Sequence, residues 1–164
     1  MTLTFLVLAF VTLQRFGELI IARRNTARLL GQGAIEVAPG HYPFIVAVHA
    51  AWLVGLWYLA LSRPLASPDL ALLALFFVLQ GLRVWILMTL GPRWTTRIIV
   101  VPGERLVAGG PYRFLPHPNY CVVIGEILVL PLAFGLVWYA IVFSILNLAV
   151  LWIRIRAENK ALGR

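Results

Sequence analysis

Charge is scarce in this sequence. Of 164 residues, only 12% are Asp, Glu, Lys or Arg, against 62% that are hydrophobic. Soluble domains carry about 25% charged and about 45–50% apolar residues. With a mean hydropathy of +0.91, a chain this short cannot hide so much apolar side chain inside a water-soluble fold. Hydrocarbon must be the solvent for much of its surface. Cysteine is nearly missing too. Cys121 stands alone, which forbids an internal disulfide and leaves no cysteine cluster for a metal. It lies in an apolar run, as inert packing does, and no metal site is expected. Acidic residues number 6 against 14 Lys plus Arg, a net charge of +8. Such a balance in a soluble protein points to nucleic acid. In a membrane protein it marks cytoplasmic loops, and no nucleic-acid partner is expected.

The first apolar stretch, Thr2 to Ala22, lacks the basic leader and small-residue cleavage site of a signal peptide and reads as a retained span. It is expected to end at Arg23, Arg24 and Asn25. Gly31, Gly33, Pro39 and Gly40 then give the chain the character of a loop. A second span is predicted over Tyr42 to Leu61 and a third over Leu70 to Leu90, joined by Ser62 to Asp69. Each has the roughly 20 residues a helix needs to cross about 30 Å of hydrocarbon. Tyr120 to Ile153 is too long for one crossing, because at about 1.5 Å per residue it would reach roughly 50 Å. Pro131 and Gly135 predict a bend in its middle. The fold class is therefore all-α: one domain over residues 1–164, a polytopic bundle of about five membrane helices with the last two as a hairpin.

Threaded with Arg23 in the cytoplasm, eleven basic residues fall on that side: Arg23, Arg24, Arg28, Arg93, Arg97, Arg105, Arg113, Arg154, Arg156, Lys160 and Arg164. Arg63 alone falls outside, and Arg15 and Arg83 lie within spans. The positive-inside rule then sets the N-terminus outside and the C-terminus in the cytoplasm. Two polar islands share the inner face, Gly91 to Tyr120 and Arg154 to Arg164. β-branched residues flank Pro102-Gly103, which suits a short hairpin at the interface. Pro111, Pro116 and Pro118 restrict the backbone that follows, so side chains there can be held in place at low entropic cost.

Gly110-Pro111-Tyr112-Arg113, His117-Pro118-Asn119-Tyr120 and the segment from Arg154 through Glu158-Asn159 to Leu162 resemble the isoprenylcysteine carboxyl methyltransferase family, and in particular its small bacterial members. The resemblance implies an integral protein of the bacterial inner membrane. It binds S-adenosyl-L-methionine between the Pro-rich loop and the C-terminal helix, and it receives a lipophilic substrate from the bilayer. Carried over residue by residue, it assigns Tyr112, Arg113, His117, Pro118, Asn119, Tyr120, Glu158 and Asn159 to the cofactor. Glu158 is the acceptor for the ribose hydroxyls, and Arg154 faces the reacting group; these two are the catalytic candidates. Two positions depart from the family pattern. Pro116 stands where a basic residue usually precedes the His-Pro pair, and Glu158-Asn159 replaces Glu-Glu. The bare residues offer plainer roles as well: an i, i+4 salt bridge between Arg154 and Glu158, and a place in the aromatic belt for Tyr120. A Rossmann-type cofactor domain, with its Gly-rich strand-to-helix turn, is absent, so loop and helix ends must build any cofactor site.

Within the spans, Arg15, Glu18, Arg83 and Glu126 need explaining. An ionisable group in hydrocarbon costs about 2.5–3.5 kcal/mol on insertion scales and usually faces a partner or a cavity. Arg15 and Glu18 lie one turn apart, and Arg83 and Glu126 lie at matching depth; all four are assigned to a substrate cavity. Gln14, Gln80 and Asn147 suit polar contacts between helices, and His49 reads as structural. The methyl acceptor is expected to be a lipophilic carboxylate or hydroxyl compound, such as a long-chain phenol or pyrone. The competing readings are a sterol-reductase-like enzyme using NADPH, which shares the His-Pro-x-Tyr pattern, and a non-enzymatic lipid-binding or transport protein.

Overall fold

A computed structural model describes residues 2–163. Five helices carry the fold: α1 (Thr2–Gly31), α2 (Tyr42–Ser62), α3 (Leu70–Leu90), α4 (Pro118–Ala133) and α5 (Val137–Ala161). By length and composition α1, α2, α3 and α5 are able to cross a membrane. The 16 residues of α4 reach roughly 24 Å, short of the full hydrocarbon thickness. Leu8 and Val11 of α1, Leu56 of α2, Phe76 of α3, Leu130 of α4 and Leu151 of α5 meet in one buried core. The outer faces are apolar as well: Leu13, Phe16, Tyr58, Leu61, Met88, Trp138 and Ile145 are all exposed. Hydrocarbon is the solvent that tolerates such a surface.

The helical hairpin forms where Pro131 and Gly135 predict it. Leu136 N donates to Pro131 O at 2.9 Å and Gly135 N to Leu132 O at 2.9 Å, with Gly135 at φ 73°. This is the Schellman closure of a helix, and it needs a left-handed residue at that position. Asp69 ties the bend to the start of α3. Its carboxylate accepts from Ala71 N and Leu72 N at 2.9 and 3.0 Å, while its own N–H donates to Ala133 O at 2.9 Å.

Two local expectations need correction. Arg23, Arg24 and Asn25 do not end the first helix, which continues to Gly31. Arginine is a good helix former, and nothing in that stretch breaks the ladder. The stop is a second Schellman closure, with Ala34 N to Leu29 O at 3.0 Å and Gly33 N to Leu30 O at 3.1 Å, Gly33 standing at φ 89°. The expected hairpin about Pro102-Gly103 is not formed either. The β-branched strand β2 (Ile99–Val100) pairs antiparallel with β1 (Ile35–Glu36), in the chain that follows α1. Arg97 locks the pairing, bonding Glu36 at 2.8 Å while its guanidinium lies 4.7 Å over the Tyr42 ring.

The added turns of α1 have a purpose in the fold. Asn25 Nδ2 donates to Gly91 O and Trp94 O at 3.2 and 2.9 Å, and Arg28 Nη2 donates to Pro92 O at 2.6 Å. They clamp the chain as it leaves α3. The ends of α1, α3 and α5, the strand pair and the Pro-rich segment thus converge at one basic end of the bundle, opposite Arg63 and the α4–α5 bend. Reporters fused after Gln32 and after Arg164 are both expected to read cytoplasmic. An external reading at either position contradicts this threading.

Candidate functional site

The four intramembrane charges come together in one cluster that joins α1, α3 and α4. Arg83 grips Glu18 in a two-pronged pair, Nε to Oε1 and Nη2 to Oε2, both at 2.6 Å. Its Nη1 reaches Glu126 Oε2 at 3.1 Å. Arg15 bonds Glu126 Oε2 at 2.6 Å and Glu18 Oε2 at 3.1 Å. Gln80 donates to Glu126 Oε1 at 2.7 Å, and Gln14 to Glu18 Oε1 at 3.1 Å. Two guanidinium groups and two carboxylates cancel, so the cluster is neutral as a whole. The sequence suggested a local pair, Arg15 with Glu18, and a pair across the bundle, Arg83 with Glu126; both contacts are made at 3.1 Å, but the closest contacts of Glu18 and Arg15, at 2.6 Å, cross between helices to Arg83 and Glu126. Asn147 behaves differently. It is buried, yet its side-chain amide finds no partner.

At the basic end, Tyr120 links the two catalytic candidates. Arg154 Nε donates to Tyr120 Oη at 2.7 Å, and the Tyr120 hydroxyl donates in turn to Glu158 Oε2. The plain i, i+4 salt bridge between Arg154 and Glu158 is therefore replaced by a relay through the tyrosine. Arg154 Nη1 also donates to Thr96 O at 2.8 Å, and Tyr42 Oη lies 3.0 Å from Thr96 Oγ1. The His117 ring stacks on Tyr120 with centroids 5.3 Å apart. Its Nε2 lies 2.8 Å from Asn159 Oδ1, an acceptor, so that nitrogen carries the proton. Asn159, which departs from the family's second acid, thus holds His117 through a neutral bond. His117 Nδ1 is left 3.8 Å from Glu158 Oε1.

Two cavities meet at this relay. The first, about 380 Å³, is a mostly apolar cleft that descends from Thr96 and Arg154 to the charge cluster. Its α1 wall is Thr12, Arg15, Phe16 and Leu19, and its α2 wall is Tyr42, Ile45, Val46, His49 and Leu53. Both show the spacing of a single helix face. His49 donates from Nδ1 to Ile45 O at 2.8 Å and stays on the cleft wall. The second cavity, about 390 Å³, is polar and lies between residues 93–107, the Pro-rich segment and the end of α5. Both volumes fall within the roughly 300–1,000 Å³ typical of small-molecule sites. Trp94, Thr95, Asn119, Tyr120 and Arg154 line both.

Among the predicted cofactor residues, Tyr112, His117, Asn119, Tyr120 and Glu158 line the polar cavity. Burial and the Glu158 carboxylate push the Tyr112 phenol up to about 12, so it stays a neutral donor at any physiological pH. Arg113 does not join them. It is exposed, with its guanidinium 5.8 Å over the Phe114 ring. Pro118 is buried as the first residue of α4, a position that suits its fixed φ and missing N–H; its role is to start the helix that carries Asn119 and Tyr120. Arg15, Glu18, Arg83 and Glu126 all line the apolar cleft.

Sequence reasoning missed Trp94, Thr96 and Tyr42. Trp94 is only 4% exposed, with the guanidinium of Arg83 6.0 Å from its ring centroid. Its indole N–H is buried without a partner, a state that costs about 1–3 kcal/mol. The signal in the sequence was position: Trp94 follows the third span within a polar island rather than at a span end facing lipid.

Neutrality of the charge cluster has a measurable consequence. Arg83→Met leaves a surplus negative charge and Glu126→Gln a surplus positive one, each costing about 3–5 kcal/mol. The double variant restores neutrality through Arg15 and Glu18. Its thermal stability is expected to lie well above the sum of the two losses, and strict additivity contradicts the coupling.

Residues 72–164 match the isoprenylcysteine carboxyl methyltransferase (ICMT) family, a stretch that holds α3 from Leu72 onward, the Pro-rich segment, α4 and α5. An uncharacterized protein of Bacillus subtilis strain 168, YpbQ, is 42% identical over 159 residues, covering 96% of this chain and 95% of its own. An uncharacterized protein of Haemophilus influenzae is 25% identical over 153 residues, covering 91% and 88%. No solved structure matches the chain. From the family match and the near full-length likeness to the Bacillus protein, the chain belongs to the isoprenylcysteine carboxyl methyltransferase family, a family of membrane methyltransferases.

Proposed function

We propose that this protein is an S-adenosyl-L-methionine-dependent O-methyltransferase that acts on a lipophilic acceptor at the cytoplasmic face of a bacterial inner membrane. The observation that carries the reading is the shared wall: a polar cavity and an apolar cleft meet at Tyr120 and Arg154. A reaction between a water-borne cofactor and a membrane-borne acceptor needs that arrangement. The residues of the polar cavity fit such a cofactor. Glu158 offers acceptor oxygens for vicinal hydroxyls, and Asn119 Oδ1 is a buried acceptor without a partner. Tyr112 and His117 supply flat rings for a nucleobase. Arg105, without an ion-pair partner among the described residues, supplies a cation for a carboxylate.

When bound, the cofactor supplies an electrophilic methyl group on a sulfonium. The protein's task is alignment, which is worth up to about 7–11 kcal/mol in well-oriented systems. Arg154 is held by Tyr120 Oη and Thr96 O, leaving Nη2 free to hold an anionic oxygen. A carboxylate acceptor arrives without a proton and needs only that cation. Glu158 accepts the Tyr120 hydroxyl and so acts in position rather than as a base. The apolar lining of the cleft excludes water from the nucleophile, so less of its charge is spent on hydration.

Calorimetry with S-adenosylhomocysteine tests the site. Glu158→Ala is expected to abolish binding, since it removes the hydroxyl acceptor and frees Tyr120. His117→Ala is expected to weaken it. Wild-type affinity in the double variant overturns the assignment.

A further inference from the structure

We infer that Tyr42 is a substrate-binding residue, whose hydroxyl donates a hydrogen bond to the acceptor oxygen that receives the methyl group, beside Arg154. The inference rests on the methyltransferase reading above and deepens it by naming the second group that holds the nucleophile.

Two hydroxyls meet at the top of the apolar cleft. Tyr42 Oη and Thr96 Oγ1 lie 3.0 Å apart, and both residues line the cleft. Each hydroxyl has one proton to give and lone pairs with which to accept. The bond between them uses one of the two protons. Neither oxygen makes a further hydrogen bond among the described residues, so the other proton is unspent. A phenol is the more acidic of the two and the stronger donor. When Thr96 donates to Tyr42, the better donor is left for a ligand, and the bond that Tyr42 accepts polarises its O–H further.

A single residue sets Tyr42 beside Arg154. Thr96 meets Tyr42 Oη with its side chain, and its carbonyl accepts from Arg154 Nη1 at 2.8 Å. Tyr42 is also the first residue of α2, and its ring is covered by the Arg97 guanidinium at 4.7 Å. Both carboxylate oxygens of Glu36 in turn hold Arg97 Nη1, at 2.8 and 3.0 Å. The strand pair thus fixes a side chain of the cleft, and a donor held in this way is preorganised for a ligand. Tyr42 and Thr96 line the apolar cleft and not the polar cavity, which puts them on the acceptor's side of the shared wall. Tyr42 also lies outside residues 72–164, so the family match assigns it no role.

In-line displacement needs a lone pair of the nucleophile aimed along the bond that breaks. An oxygen held by one donor can still swing about that contact. A second donor from a different element removes the freedom, and orientation of this kind is what lowers the barrier. Arg154 Nη2, on α5, is the first donor, and the Tyr42 hydroxyl, on α2, is the second.

The test uses the full chain in dodecyl maltoside micelles with decyl methyl ketone, isotope-labelled at its carbonyl carbon. The ketone oxygen only accepts, and each hydrogen bond it receives moves the carbon resonance downfield. Bound to the wild type, the resonance is expected well downfield of its position in dry hydrocarbon. Tyr42→Phe keeps the ring under Arg97 and deletes the hydroxyl. It is expected to move the resonance part of the way back and to weaken ketone binding about 10-fold, the effect of one lost hydrogen bond. S-adenosylhomocysteine affinity and thermal stability are expected to be unchanged. In Arg154→Met the resonance is expected to stay downfield of the hydrocarbon position, because Tyr42 still donates. Failure of the ketone to bind, a resonance that Tyr42→Phe leaves in place, a return to the hydrocarbon position in Arg154→Met, or an equal loss of S-adenosylhomocysteine affinity in Tyr42→Phe each overturns the inference. If the wild type binds the ketone through Tyr42 but not S-adenosylhomocysteine, the cofactor reading falls and the acceptor contact stands.

Discussion

Four charges cannot sit in hydrocarbon unless they cancel, and the bundle is organised by that requirement. Arg15, Glu18, Arg83 and Glu126 come from three helices, and each is tolerated only while an opposite charge in the cluster cancels it. Hydrophobic burial does little to choose between helix arrangements inside a membrane, because lipid is as apolar as leucine. A neutral cluster with fixed bond geometry does choose. It draws α1 against α3 and α4, sets the floor of the apolar cleft, and holds the ring of Trp94 through Arg83.

Above that floor the two halves of the site are built by different means. The cleft comes from helix faces, two parallel stripes on α1 and α2 with a four-residue rhythm. The polar cavity comes from irregular chain made rigid by prolines, by the β1–β2 pair and by the clamp from Asn25 and Arg28. The relay of Arg154, Tyr120 and Glu158 belongs to both. Tyr120 reaches it from the first turn of α4, and Arg154 and Glu158 from successive turns of α5, so the helical hairpin brings the pieces together. That explains why Pro118 and Gly135 matter although neither offers a chemical group: one starts α4 and the other turns the chain back.

Much of this was legible in the sequence. The bounds of α2 and α3 follow from apolar length, and the hairpin from Pro131 and Gly135, because those signals are local. The pairing of Arg83 with Glu126 followed from depth along a helix. What escaped was set by contacts distant in sequence. The end of α1 was misplaced because arginines punctuate a hydropathy profile without breaking a helix. The strand partner of Ile99–Val100 lay more than sixty residues back, where only the folded clamp brings it within reach. The place of Trp94 depends on Arg83 and Asn25 together, which no spacing rule relates. Arg113 was assigned to the cofactor as part of the Gly110–Arg113 motif that carries the family resemblance, but one step along a tight turn leaves it exposed.

The central claim is that the shared wall joins a cofactor to a lipid. The most direct measurement incubates the purified protein in nanodiscs with methyl-labelled S-adenosyl-L-methionine and a membrane lipid extract, then partitions the products between organic solvent and water. Label is expected in the organic phase with the wild type and is expected to fall to background with Arg154→Met. Label that stays in the aqueous phase with the wild type, or enters the organic phase equally well without Arg154, contradicts it.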